Sequence, residues 1–473
     1  MENTAFHFFT DETGKEMLKA LNDLVSAHGG ASSNELEYGV RWVTGASDPE
    51  LERVIRKDGI ITPWDITFTR NVGTDKIEAN PFDAIELFSP ELWTDAAGNR
   101  FRRFKRFYHA LEQEGVFSYR WVSKKKANGN YTLPRAFCRA GKPYWNYVDI
   151  GVYEGGNETI GGTTYLCSKP NYYPTHNITR TSAFNNAKAW HTKLDIDTSK
   201  EFYCITTMSE ICEITQPLVM IMIGSRNSDV AYTGNTSSYA ENTGITGYDA
   251  SARKITMGAN NKFYKGQCIT PGTSSSESDY RTITEVGDGY IIHDGEGWSS
   301  TPSVISTRPL KSGQTDVINA MHGTLSNDSF HSFKMLGIEN IWANIWLHVL
   351  DCTIKDYVPY VCEDLEKWSD TSTPETSEAF KRCGYEVFKT SQQYISEFGI
   401  DKAYPDISLP VKGGASTSTY YCDYYWIASG ARTVFYGGSL YDGSYCGLFC
   451  WALSADVGDS YWYYGARLSH RSL

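Results

Sequence analysis

Apolar positions near the start of the chain recur with helical spacing. Met17, Leu18, Leu21, Leu24 and Val25 fall at i, i+1, i+4, i+7 and i+8, which predicts an amphipathic helix capped by Thr10 or Asp11. Between residues 38 and 150, short strand-like runs alternate with aromatic-rich runs of helical character, and Phe101, Phe104, Phe107 and Tyr108 read as a core stripe. Tyr144–Val152 reads as a strand. Thr179–His191 reads as a helix with Ala183, Ala187 and Trp190 on one face. A second helix is expected over Thr198–Gln216, opened by Asp197-Thr198-Ser199 and carrying Phe202, Ile205, Met208, Ile211 and Cys212. Pro217–Ile223 is the most apolar short run. It is far too short to span a bilayer and reads as a buried strand. Residues 224–330 are rich in Gly, Ser, Thr and Asn with short β-branched runs, which predicts a β-rich insertion with long loops. A compact apolar pattern returns at Gly337–Trp346. No internal repeat is evident.

Composition narrows the function classes. The formal net charge is -12, which repels a phosphate backbone. The basic clusters Arg102-Arg103, Lys105-Arg106 and Lys124-Lys125-Lys126 read as solvated faces, so no nucleic-acid partner is expected. The 11 cysteines are odd in number and none forms a CxxC pair, which fits neither a disulfide framework nor a zinc site. Met1-Glu2-Asn3-Thr4-Ala5 has neither a basic n-region nor an apolar h-region, so synthesis in the cytoplasm without a secretory signal, and no membrane insertion, are expected.

The C-terminal stretch is compositionally distinct. From Gly413 to Leu473 there is no Lys, Glu, Gln, Met or Asn, and Tyr420–Tyr464 contains ten tyrosines among Ser, Gly, Ala, Cys and Asp. Tyr offers a large, rigid, amphipathic face at low entropic cost, while Ser and Gly allow adaptable geometry, which is the palette of antibody paratopes. An ordinary sheet with an aromatic core explains some of the tyrosine but not the missing long polar residues. Interleaved with this mixture is a frame that includes Asp423, Trp426, Arg432, Gly437-Gly438-Ser439, Phe449 and Gly465-Ala466-Arg467, with Arg432 and Arg467 expected to hold loops through buried or half-buried pairs.

Trp342-Ala343-Asn344-Ile345-Trp346, followed by Arg432 with Gly437-Gly438-Ser439 and then Gly465-Ala466-Arg467, resembles the ordered signature of C-type lectin folds of the formylglycine-generating-enzyme type. The sequence departs from that pattern at Ala343, Leu347, Leu440 and Ala466. The terminal run is similar to the variable regions of target proteins of diversity-generating retroelements. Adenine-directed mutation of Asn codons in such systems yields Tyr, Ser, Asp, Cys, Ala, Gly, Leu, Val, Ile and Phe but not Lys, Glu, Gln or Met. The resemblance implies an α+β fold. It makes 141–473 a C-type-lectin-like domain with an insertion at about 224–330 and a variable region at about 420–467; the change in sequence character near residue 141 and the helix at Met17–Val25 separately predict that 1–140 form an N-terminal anchoring or assembly domain.

What this implies is a diversified receptor- or ligand-binding protein, such as the receptor-binding component of a phage tail. Its partners are a variable protein or glycan on a host-cell surface and, through the N-terminal part, other virion subunits; a homotrimer suits such a role through avidity. The expected ligand-binding residues are Tyr425, Ala428, Phe435, Tyr436, Leu440, Tyr441, Asp442, Tyr445, Ser454, Asp456, Asp459, Tyr461 and Tyr463. Two alternatives compete. One is an oxidase of the formylglycine-generating kind using Cys446 and Cys450; a thiolate needs an electropositive neighbourhood, and this segment has no Lys and no His but His470. The other is a purely structural tail or baseplate subunit. Asp423, Asp442, Asp456 and Asp459 lie outside any Asp-x-Asp-x-Asp-Gly loop, so no catalytic residue, metal or cofactor is expected.

Overall fold

A computed structural model of the protein describes residues 36–75, 77–258, 263–273 and 279–473. The helix expected at Met17–Val25 lies outside them. The described chain is α+β and strand-rich, with several sheets and few helices. Glu37–Val43, Glu52–Lys57, Ile60–Pro63, Tyr108–Glu114 and Phe117–Ser123 form an antiparallel five-stranded sheet. A second five-stranded sheet sets the last strand, Leu468–Ser472, between Glu201–Ile205 and Tyr147–Gly151, and continues through Arg100–Lys105 to Glu91–Thr94. The third large sheet is centred on Trp346–Lys355 and Ala431–Tyr436 and carries the tyrosine-rich stretch.

The boundary expected near residue 141 does not separate two packed units. Phe101–Lys105 pairs with Tyr147–Gly151 across it, and one apolar core runs from Leu36 through Phe104 and Leu218 to Trp342 and Phe449. Arg135 crosses it as well, donating to Asp351 and to Asp406 at 2.6 Å each. Phe101 and Phe104 do not form one helical stripe either. They point to opposite faces of a strand buried on both sides, Phe101 toward Trp190 and Phe202, Phe104 toward Phe107 and Val148.

Helix α1, Arg180–Lys193, begins where Thr179 accepts the N–H of Ser182 at 3.1 Å, and it buries Ala183, Ala187 and Trp190. The second expected helix is replaced. Glu201–Ile205 is a strand, Glu210–Thr215 is a π-helical turn, and Gln216–Ile223 is helix α2 rather than a strand. Every residue of α2 is buried beneath the N-terminal sheet, so an apolar run with no polar face carries no periodicity by which to tell helix from strand. Gly224, left-handed at φ 63°, ends it. Seven strands, from Glu241–Asn242 to Ile305–Arg308, form a sheet with its own small core around Ile255, Ile269, Ile291 and Trp298.

The loop Glu339–Trp346 is the hub that joins these layers. Asn340, Ala343 and Asn344 all adopt left-handed backbone, a conformation that side chains tolerate only when surroundings fix it. The Asn344 amide group donates to Glu154, and its carbonyl accepts the Leu310 N–H at 2.7 Å and the Asn235 amide at 2.8 Å. Arg467, fully buried, donates to the carbonyls of Gly151, Val152, Glu339 and Asn340. The terminal strand, the hub and the insertion are thereby held in one arrangement.

Candidate ligand-binding face

The third sheet has two unlike faces. One packs Tyr425, Ile427, Val434, Tyr436, Trp451 and Leu453 into a core with Met208, Val349 and Ile354. The other carries Trp346, Phe435, Ala452 and Ala455, with Trp426, Tyr463 and Tyr464 packed on them and only partly covered. Alternation along Tyr424–Ile427 sets this division, because residues of opposite parity leave a strand on opposite sides.

The open face is a connected shelf of aromatic rings. Tyr424 stacks on Tyr445 at 4.2 Å, Trp426 meets Tyr445 edge-on at 5.8 Å, and Trp346 meets Trp426 edge-on at 5.5 Å. Tyr461, Tyr463 and Tyr464 form a second group, joined to the sheet where Tyr464 stacks on Phe435 at 4.1 Å. At the edge of the shelf Tyr441, Tyr445 and Tyr461 expose 61%, 38% and 40% of their surface, values at which a tyrosine offers a ring face to a partner. Asp442 sits beside Trp346. It accepts from the Ser439 N–H at 2.9 Å, the Ser439 hydroxyl at 2.6 Å and the Trp346 indole, while burial pushes its carboxyl up to about 6.

Glycines shape the turn that presents Tyr441 and Asp442. Gly437 and Gly438 have φ of 95° and 89°, and a Cβ on Gly438 would lie 2.3 Å from the Cys446 sulfur. The turn is tied to the hub through Ala343 N–H to Gly437 O at 3.0 Å and Leu440 N–H to Asn344 O at 3.2 Å.

The expected residues divide into three sets. Tyr441, Asp442, Tyr445, Tyr461 and Tyr463 are brought together on the open face. Ser454 and Asp456 meet Arg432, at the end of the sheet where Ala431–Tyr436 begins; Arg432 pairs with Asp456 and donates to the Ser454 carbonyl at 3.1 Å, Asp459 accepts the Asp456 N–H at 2.8 Å, and Ala428 donates to the Leu453 carbonyl at 3.3 Å. Tyr425, Phe435, Tyr436 and Leu440 are corrections, since all four are buried. Tyr425 and Tyr436 point into the core, their hydroxyls donating to Thr390 O at 2.6 Å and Leu448 O at 3.0 Å. Phe435 is on the right face but lies covered between Tyr464 and His348. Trp426, expected as frame, is instead partly exposed on the shelf.

Tyr424 and Trp426 also lie on this face by the parity of their strand, Tyr464 lies beside them, and buried Trp346 backs Trp426. Sequence reasoning missed Tyr239 and Tyr394, which join the shelf from outside the tyrosine-rich stretch, Tyr394 packing edge-on against Tyr424 at 4.9 Å and Tyr239 against Tyr441 at 4.9 Å. Cys446 and Cys450 are buried, and burial pushes both thiols well above their ordinary range, opposite to what a nucleophilic or metal-binding thiolate requires. Among the described residues no three His, Cys, Asp or Glu side chains are grouped to hold a metal, and no helix is long and apolar enough to cross a membrane. No protein-family model matches the chain, and none of the curated proteins matches it.

Proposed function

We propose that the aromatic shelf is a ligand-binding surface, and that the protein is a diversified receptor-binding component of a phage tail built on a C-type-lectin-like scaffold. The observation that carries the reading is the partition of the tyrosine-rich stretch. Its buried members close a core, and Tyr441, Tyr445, Tyr461 and Tyr463 converge on one open face although they lie far apart in sequence. Contiguous exposed aromatic surface on a folded protein marks an interaction site, and a few aromatic anchors carry most interface energy. The ligand is a protein or glycan of a host-cell surface. The thiol environments do not favour the oxidase reading. Binding to a panel of surface glycans and a random-peptide library tests the proposal. Tyr441→Ser combined with Tyr445→Ser is expected to weaken capture of any selected ligand by at least about tenfold, roughly 1.4 kcal/mol, with Tm unchanged. Undiminished capture moves the ligand site elsewhere. The diversification itself is tested by sequencing the neighbouring DNA for a reverse transcriptase and a near-copy of the 420–467 coding segment bearing Asn codons.

A further inference from the structure

The insertion carries a cleft that borders the aromatic shelf. Its floor is Ser237–Glu241 and its walls are Tyr264 and the turn Asp328–His331, enclosing about 740 Å³, a volume suited to several side chains of a bound segment. Tyr239 connects cleft and shelf. Its ring stands edge-on to Tyr441 at 4.9 Å and stacks on Trp462 at 5.5 Å. Within the cleft the Tyr264 ring lies 5.8 Å from Phe330, which is 40% exposed.

Two carboxylates complete the lining. Glu241 accepts the Tyr239 hydroxyl. Asp328 accepts the N–H groups of Phe330 at 2.9 Å and His331 at 3.1 Å, with the His331 imidazole 2.8 Å away. Asp442 adds a third carboxylate on the shelf side. Among the described residues the lining holds no lysine or arginine; Arg308 is buried beneath Trp462 at 4.6 Å, and Lys265, which follows Tyr264, is exposed outside the lining. Aromatic faces beside carboxylates attract cations and disfavour anions, and the guanidinium and ammonium heads of Arg and Lys also carry apolar stems that pack on such rings.

We propose that this cleft is the second half of the ligand surface and receives lysine or arginine side chains from a basic segment of a protein ligand. The inference rests on the reading of the shelf as a ligand surface and adds to it a partner chemistry and a contribution from residues outside the tyrosine-rich stretch.

Peptides selected from a random library on the full-length protein provide the test. Enrichment of Lys and Arg is expected, and acetylating the lysines of a selected peptide is expected to weaken binding by at least about tenfold. Glu241→Gln with Asp328→Asn is expected to weaken it similarly. The pair Asp58→Asn and Glu114→Gln removes the same formal charge at exposed positions of the N-terminal sheet and is expected to leave binding unchanged. Selected peptides without basic residues, equal weakening by the two pairs, or failure to select any peptide each overturn the inference. If peptides lacking basic residues are selected and lose binding on Tyr441→Ser with Tyr445→Ser, the shelf stands and the cationic partner falls. If the selected peptides ignore both the tyrosine and the cleft substitutions, both fall.

Discussion

Glu154 shows how much of this protein is decided by single buried polar groups. Its carboxyl is buried between the terminal strand and the hub, one oxygen taking the amides of Asn344 and Asn340, the other without a hydrogen-bond partner. Burial pushes it from 4.5 up to about 8, against the opposing pull of Arg467. The folded protein therefore holds a proton that the unfolded chain releases at ordinary carboxylate pH. The stabilisation this brings is complete below about pH 4.5 and is lost as pH rises through about 8. Tm is accordingly expected to fall across that window. In Glu154→Gln, which keeps an acceptor for the two amides and cannot ionise, the fall is expected to be shallower. Thermal scans across the pH range check this, and an unchanged slope would show that Glu154 does not titrate there.

At the scale of elements, register decides which side chains are frame and which are surface. Tyr424–Ile427 pairs in parallel with Trp451–Leu453, which sends Tyr425 and Ile427 into the core and Tyr424 and Trp426 outward. A one-residue error in reading such a strand exchanges its whole inward and outward sets, and composition alone does not fix the parity of four consecutive aromatic and apolar residues. Tyr425→Ala is therefore expected to destabilise by about 3–5 kcal/mol through lost burial and a cavity, plus the lost bond to Thr390. Trp426→Ala, on the half-open shelf, is expected to cost clearly less, and chemical denaturation ranks the two; the reverse order would restore the sequence-based register. The same reasoning explains what was legible elsewhere. Helix α1 was readable because Thr179 caps it and Ala183, Ala187 and Trp190 share one face against exposed polar neighbours. The 201–223 region was not, because strand, π-helical turn and α2 are all buried, so neither a period of two nor one of 3.6 survives in the apolar pattern. Of the candidate site, the segment was legible from its missing residue types, whereas Tyr239 and Tyr394 were not, since only the tertiary fold brings them to the shelf.

At the scale of the molecule, residues 36–140 complete the packing of the rest of the chain. Phe101–Lys105 supplies the neighbour strand of Tyr147–Gly151, which in turn pairs with the terminal strand Leu468–Ser472. Phe101 fills the core beside Tyr203 and His470, and Arg103 pairs with buried Asp149 at 2.8 Å. Without these residues, Tyr147–Gly151 becomes an uncovered edge, with Val148 and Ile150 stripped of their packing and Asp149 left buried with His470 alone. Asp351 and Asp406 also lose their shared partner Arg135, and burial already pushes Asp406 up to about 7 with that partner present. Breaking a buried ion pair by removing one member costs about 3–5 kcal/mol, of the order of a domain's whole stability at about 5–15 kcal/mol. A chain beginning at residue 141 is therefore expected to be insoluble or to lack cooperative unfolding, even though it retains the entire tyrosine-rich face. The insertion offers the contrast. Ala240 and Thr307 at its base are joined by hydrogen bonds of 2.8 and 3.0 Å, and its core is separate, so replacing 241–306 with a short flexible linker is expected to preserve a cooperative transition. Calorimetry of the two shortened chains decides between a scaffold that begins at residue 141 and one that runs through it; cooperative melting of the chain beginning at 141 would reinstate the boundary.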